Sequence, residues 1–177
     1  MQGAVLPMFT CRNIVCVAAA AFVLTSCAEQ SKPMISSSAV HRMNKVRTTA
    51  YAPGDGGGKK NPMGQYLSGR HVMSAASDWS RFPLGTRFRI VETNQEYVID
   101  DYGTALIGTN TIDLYKPSRL EMKRWGVRHV DIDILQWGST EASLKVLAPR
   151  AKHPSVRRMV VALQQKKSSG PGNSKAD

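Results

Sequence analysis

The chain has 177 residues, of which 42% are apolar and 21% charged, a composition that predicts a globular domain and excludes wholesale disorder. Its net charge of +11 lies almost entirely at the two ends, because residues 50–149 carry 12 basic and 11 acidic groups. This distribution argues against a nucleic-acid-binding fold and favours contact of the ends with an anionic membrane or cell wall. The sequence has no run of 18 apolar residues, so it predicts no permanent membrane span.

Residues 1–26 have the composition of an export signal. Residues 14–25 carry no charge and follow the positive charge of Arg12, a pattern typical of a secretory signal peptide. The four residues that end at Cys27, Leu-Thr-Ser-Cys, resemble the bacterial lipobox. This resemblance implies that Cys27 becomes the lipid-bearing first residue of the mature protein. The alternative is an ordinary signal peptide with an incidental cysteine.

The cysteine count agrees with the lipid interpretation. Cys11 and Cys16 lie inside the predicted signal, so the mature chain keeps Cys27 alone and cannot form an internal disulfide. Lipidation would also remove an unpaired thiol from an exported protein. Ala28 follows the cysteine, where an Asp would resemble an inner-membrane retention signal. We therefore expect an exported protein on the periplasmic face of the envelope, anchored in the outer membrane through Cys27.

Composition divides the rest of the chain into three parts. Residues 27–45 form a Ser-rich tether, residues 46–149 form the domain, and residues 150–177 form a basic, partly disordered tail. Within the tail, residues 156–165 have a helical pattern that either rests on the envelope surface or packs on the domain. We expect the fold not to need residues 151–177.

The domain is predicted to be mainly β. Apolar and polar residues alternate over short segments, which is typical of half-buried strands, at 46–51, 71–76, 86–91, 95–101, 111–115, 130–135 and 144–146. Ser118 and Glu121 fit a capping box that begins one short helix, and Gly126 is placed to end it. Short strands with many turns favour a closed barrel, which leaves no exposed sheet edge.

Three aspartates occur in distinctive contexts. Asp78 lies in Ala-Ala-Ser-Asp-Trp and precedes a Pro-Leu-Gly-Thr turn, Asp101 lies in Ile-Asp-Asp-Tyr-Gly-Thr, and Asp113 lies in Thr-Ile-Asp-Leu-Tyr. Together these segments resemble the three-aspartate (3D) domain of membrane-bound lytic transglycosylase A and of short cell-wall lytic enzymes, and are related to the rare lipoprotein A barrels. The resemblance covers residues 46–138 and implies a six-stranded double-psi β-barrel.

The resemblance also implies roles for individual residues. Asp113 matches the family's catalytic acid, and Asp101 and Asp78 match its two supporting carboxylates. The residues next to these aspartates are candidates for substrate binding: Trp79, Tyr102, Gly103 and Thr104. Trp79 is equally compatible with stacking on a sugar and with a place in the core.

Two details of this match depend on strand geometry. Asp100 and Asp101 are consecutive on a predicted strand, so alternation lets only one of them face the cleft, and Asp101 is preferred because it precedes Gly103. Asp101 and Asp113 are separated by one residue more than is common in the family. We expect the turn at residues 108–110 to absorb this extra residue.

The predicted chemistry is cleavage of peptidoglycan by a lytic transglycosylase, which leaves a 1,6-anhydro end. One carboxyl is sufficient for this reaction, because the 6-hydroxyl of the muramic acid attacks in place of water. The histidines lack metal-ligand spacing, so no metal or cofactor is expected, and peptidoglycan strands are the expected partner. The alternatives are a non-catalytic peptidoglycan-binding lipoprotein and a barrel-based endoglucanase or expansin-like protein.

Overall fold

A computed structural model describes residues 41–54 and 58–169. Cys27, the predicted signal and most of the predicted tether lie outside these ranges. Six strands are present: β1 His41–Tyr51, β2 Val72–Ala76, β3 Arg87–Ile90, β4 Glu96–Asp101, β5 Ile112–Tyr115 and β6 Arg128–Gln136. They close into one barrel in the order β1-β5-β2-β4-β3-β6. The predicted fold class, a mainly β six-stranded barrel, is therefore confirmed.

Two of the neighbouring strand pairs are parallel. β1 runs parallel to β5 and β2 runs parallel to β4, whereas all other neighbours around the barrel are antiparallel. Residues that alternate along the strands fill the interior and are almost completely buried: Phe88, Ile90, Tyr97, Ile99, Ile112, Leu114 and Ile132. Side chains between them point to the outer face of the barrel.

The predicted helix is present as α1, Arg119–Trp125. The hydroxyl of Ser118 accepts a hydrogen bond from the Glu121 N–H at 3.2 Å, which is the expected helix cap. Gly126 ends the helix with a positive φ of 64°, a conformation that only glycine adopts without steric cost.

Two further α-helices follow the barrel: α2, Thr140–Leu147, and α3, Pro154–Ser168. The predicted strand at 144–146 is wrong, because these residues lie inside α2. Ser139 caps this helix by accepting a hydrogen bond from the Ala142 N–H at 3.1 Å. Three alternating residues are too few to distinguish a strand from one turn of a helix.

Helix α3 is part of the folded unit. Its buried side chains belong to the same core cluster as the barrel interior: Val156, Met159, Val160 and Leu163. The predicted helix at 156–165 thus packs on the domain, and the folded unit continues beyond the predicted boundary at residue 149. Within residues 41–54 and 58–169, no helix is both long and apolar enough to cross a membrane.

The Pro-Leu-Gly-Thr turn, residues 83–86, leads into β3. Gly85 has a φ of 89°, and the Thr86 hydroxyl donates to the Pro83 carbonyl at 2.7 Å. The same hydroxyl accepts from the Gly138 N–H at 3.0 Å, which joins the turn to the segment after β6. This motif therefore has a structural role in holding one end of the barrel.

Candidate active site

Strand β4 ends in a β-bulge that places two consecutive aspartates on the outer face. Ala75 pairs with Ile99, but the next residue, Ala76, pairs with Asp101. In a regular strand Asp101 would point inward like Ile99, which is fully buried. The bulge turns it outward, a common use of bulges next to functional sites. The regular alternation on which the choice between Asp100 and Asp101 rested is therefore absent, because the strand is not regular at its end.

Asp101 and Asp113 lie in one row across the sheet. Thr49 of β1 pairs with Asp113 of β5, Asp113 pairs with Ala76 of β2, and Ala76 pairs with Asp101. The two aspartates are thus two strand spacings apart, about 10 Å between backbones. Strand β5 keeps its register with both neighbours, so the extra residue between the aspartates is absorbed before this strand begins.

The Asp113 carboxyl has one oxygen with a hydrogen-bond partner and one oxygen without a partner among the described residues. Its Oδ1 accepts a hydrogen bond from the Thr49 hydroxyl at 2.6 Å. No other residue in the described part of the chain hydrogen-bonds this carboxyl, and Oδ2 is not enclosed. Burial raises the pKa of Asp113, and the Thr49 hydrogen bond and the charge of Arg47 oppose this rise. Asp113 can therefore hold a proton on an oxygen that solvent reaches.

Asp101, by contrast, has both oxygens engaged. Oδ1 accepts from the Tyr102 N–H at 2.8 Å, and Oδ2 accepts from the Tyr51 hydroxyl at 3.1 Å. Burial raises the pKa of Asp101, and the nearby charges of Asp100 and Asp113 add to this rise against the two hydrogen bonds. Its main-chain carbonyl accepts a hydrogen bond from the Trp79 indole at 2.7 Å. Three hydrogen bonds therefore hold Asp101 in place.

Asp100 completes a carboxyl cluster of Asp100, Asp101 and Asp113. Its Oδ2 accepts from the Ser74 hydroxyl at 2.6 Å and from the Asn61 amide at 3.4 Å, whereas Oδ1 is buried with no hydrogen-bond partner. Burial raises the pKa of Asp100. An unpaired buried oxygen is costly when ionised, which favours the protonated form.

Tyr51 lies among these carboxyls and was not predicted. Burial raises its pKa, and the charges of Asp101 and Asp100 raise it further, so its hydroxyl stays a hydrogen-bond donor. A signal for it was present in the sequence, since Thr49 and Tyr51 are alternate residues of the predicted strand 46–51 and therefore share the outer face.

Asp78 has a structural role, because its carboxylate hydrogen-bonds loop residues and, in the described part of the chain, none of the three carboxyls of the cluster. It is only 2% exposed. Its Oδ1 accepts from the N–H and the hydroxyl of Ser80 at 2.8 and 2.7 Å, and its Oδ2 accepts from the Gly108 N–H at 2.7 Å. The carboxylate thus joins the turn after β2 to the loop before β5. This placement does not fit the predicted role of a carboxylate that supports the acid.

We expect Asp78→Ala to lower the free energy of unfolding by about 1–3 kcal/mol, because it removes a buried carboxylate that accepts hydrogen bonds from Ser80 and Gly108. Urea denaturation followed by circular dichroism measures this change. A stable Asp78→Ala protein that has lost activity would instead support the predicted role of Asp78 in catalysis.

The predicted substrate-binding residues differ in their exposure. Trp79 is fully buried and packs edge-on against Tyr102 with ring centroids 5.2 Å apart, so the alternative of stacking on a sugar is wrong for Trp79. Tyr102 and Gly103 are half-buried, and Thr104 is exposed at the start of a 3-10 turn. These three residues follow Asp101 directly and stay candidates for substrate contact.

Comparison with known proteins found similarity to one family model and to a solved structure. Residues 73–136 match the family model of the 3D domain. The crystal structure of MltA from E. coli is similar with 24% sequence identity and a TM-score of 0.34, over 44% of this chain and 27% of that chain. The chain thus spans about a quarter of the length of that protein. No curated protein matches the chain significantly. Residues 73–136 are therefore similar to the 3D domain, and they lie within the closed six-stranded barrel.

Proposed function

We propose that the protein is a peptidoglycan lytic transglycosylase. It cleaves the β-1,4 bond between N-acetylmuramic acid and N-acetylglucosamine and leaves a 1,6-anhydro end. The observation that carries this proposal is the distribution of free oxygens in the carboxyl cluster. Asp113 alone of the three carboxyls has an oxygen that is both accessible and without a hydrogen-bond partner among the described residues.

The reaction needs one proton carrier. Protonated Asp113 donates its proton from Oδ2 to the departing glycosidic oxygen while positive charge develops at the anomeric carbon of the muramic acid. The resulting carboxylate then accepts the proton of the muramic acid 6-hydroxyl, whose oxygen bonds to the anomeric carbon. The proton returns to Asp113 and no water is consumed, so the same residue serves both half-reactions.

The other two carboxyls support this assignment over hydrolysis. A glycoside hydrolase normally needs a second carboxylate that activates water or attacks the sugar. Asp101 has its oxygens occupied by Tyr102 and Tyr51, and the unpaired oxygen of Asp100 is enclosed. The cluster therefore favours a mechanism with one acting carboxyl, and the charge of Asp113 in turn raises the pKa of Asp101.

The proposal is tested by mass spectrometry of purified sacculi after incubation with the full chain in detergent. We expect muropeptides that carry the 1,6-anhydro end and are one water lighter than the hydrolase products. Reducing ends would refute the mechanism with one carboxyl. Binding to sacculi without release of fragments would identify a non-catalytic peptidoglycan-binding protein instead.

We also propose that the protein is anchored to the outer membrane through a lipid on Cys27, facing the periplasm. The export signal and the lipobox resemblance of residues 24–27 support this location. The anchor would hold the barrel near its polymeric substrate. The basic ends of the chain suit the anionic envelope surface.

Cys27→Ser tests the anchor. We expect the wild-type protein to fractionate with membranes, and the variant either to be released or to stay unprocessed, because serine cannot carry a thioether-linked lipid. Fractionation and mass measurement distinguish these products. An efficiently processed Cys27→Ser protein that still partitions fully with membranes would exclude lipidation at this residue.

A further inference from the structure

The loop between β1 and β2 is attached to the carboxyl cluster at two points. In the part of the loop nearer β1, the Asn61 amide donates to Asp100 Oδ2 at 3.4 Å. In the part nearer β2, the Ser68 N–H donates to the Ser74 hydroxyl at 2.8 Å, and this hydroxyl donates to the same Asp100 oxygen at 2.6 Å. Asp100 thus ties residues 58–70, which we call the β1–β2 loop, to the strand that carries Asp101.

Further hydrogen bonds, within the β1–β2 loop and from a neighbouring segment, hold its conformation. The Asn61 side-chain oxygen accepts from the N–H groups of Met63 and Gln65 at 3.1 and 3.0 Å. The Arg150 guanidinium, from the segment between α2 and α3, donates to the Pro62 carbonyl at 2.9 Å. Because these groups are satisfied by the protein itself, the loop keeps its conformation without a ligand.

This fixed loop presents an aromatic ring and a cation to solvent. Tyr66 is 72% exposed, the highest value among the large hydrophobic side chains of the described residues. The Lys60 ammonium lies 5.0 Å from the centroid of the Tyr66 ring, and the backbones of the two residues form a β-bridge. Lys60 thus covers one face of the ring and leaves the opposite face open.

We propose that the β1–β2 loop binds substrate beside the carboxyl cluster, where Tyr66 stacks on a pyranose ring of the glycan and Lys60 pairs with a carboxylate of the peptide that the glycan bears. The inference rests on the proposed function for the identity of the polymer. A pyranose ring has an apolar C–H face that packs on an aromatic ring, and the phenol hydroxyl stays hydrated at its edge. The exposed ammonium of Lys60 supplies charge complementary to peptide carboxylates.

The proposal assigns a preference for peptide-bearing over stripped glycan. Tyr66 contacts the sugar in both substrates, whereas Lys60 finds its partner only when the peptide is present. Steady-state rates of the full chain in detergent are compared on intact sacculi and on the peptide-free glycan strands that an amidase releases from them. The variants are Tyr66→Ala, Tyr66→Phe and Lys60→Gln.

We expect Tyr66→Ala to raise KM about tenfold on both substrates with little change in kcat, because an exposed ring contributes to binding in the ground state and transition state alike. Tyr66→Phe should behave as wild type, since the ring is retained. Lys60→Gln should raise KM about two- to fivefold on intact sacculi only, the range of an exposed ion pair. Val161→Ala and Lys145→Gln, on exposed positions of α3 and α2, are the matched controls and should leave KM unchanged.

An unchanged KM in Tyr66→Ala would overturn the sugar contact. An equal effect of Lys60→Gln on both substrates would overturn the carboxylate contact. Co-sedimentation of the same variants with intact sacculi, with and without the soluble peptide-free strands as competitor, separates this inference from the proposed function. If the wild type releases no fragments, the catalytic proposal fails, and the sedimented fraction of each variant still decides whether the loop binds glycan.

Discussion

Asp113→Asn should lower the rate of release of 1,6-anhydro muropeptides by about 10²–10⁴-fold, the usual contribution of general acid catalysis. The amide cannot transfer a proton, but its oxygen still accepts the Thr49 hydrogen bond. Co-sedimentation with sacculi should therefore stay at the wild-type level. Initial rates at saturating and limiting substrate separate the loss in kcat from any change in KM.

The same variant has an expected effect on stability. Burial raises the pKa of Asp113, so the folded state binds its proton more tightly than the unfolded chain does. This contribution to stability is complete below the unfolded pKa, about 4, and is lost as the pH rises through the folded pKa. At neutral pH Asp113→Asn should thus be at least as stable as wild type, and the difference in melting temperature should shrink as the pH falls toward 4.

Glu141→Gln is the control for these measurements, because the Glu141 carboxylate is 75% exposed on α2 and its ion pair among the described residues is with the exposed Lys167. We expect unchanged rates and an unchanged melting temperature. Wild-type activity in Asp113→Asn would refute the assignment of the acid. A loss of folding in this variant would mean that the carboxylate is structural.

Removal of residues 151–177 should leave most of the protein molecules unfolded at room temperature. Helix α3 places four side chains in the core: Val156, Met159, Val160 and Leu163. Burial of such a side chain contributes about 1.5–3 kcal/mol, and the whole free energy of unfolding of a domain is about 5–15 kcal/mol. Circular dichroism and urea denaturation compare the shortened chain with the full one. This expectation replaces the sequence-based view that the fold does not need the segment.

Point variants on α3 refine this test. Leu163→Ala, at a fully buried position, should lower the free energy of unfolding by about 2–5 kcal/mol. Val161→Ala, at a position that is 45% exposed, should change it by less than about 0.5 kcal/mol. Equal stabilities of the two variants would show that α3 does not belong to the cooperative unit.

The barrel strands could be predicted because one face of each strand is buried. Phe88 and Ile90 alternate with arginines, and the core enforces that period, so local pattern and tertiary environment agree. The start of α1 could be predicted equally well, because Ser118 and Glu121 interact within one turn of helix. These features depend on residues that are close in sequence.

The arrangement of the carboxyls could not be derived in the same way. The bulge at Asp100 depends on how β4 pairs with β2, which is a property of two strands and not of either sequence alone. The role of Asp78 is likewise decided by Ser80 and by the distant Gly108. Sequence contexts identified the right aspartates as unusual, but only the tertiary contacts separate those that meet at the site from the one that holds the loops.

Strand β1 closes the barrel by pairing with β5 on one side and β6 on the other, yet it lies entirely before the matched residues 73–136. A polypeptide cut at the limits of the match would leave the β5 and β6 edges with bare N–H and C=O groups. Such edges recruit strands from other molecules, so this fragment should precipitate as intermolecular sheet. The segment that matches the family model is thus shorter than the segment that can fold, and any shortened version of the protein must begin at or before His41.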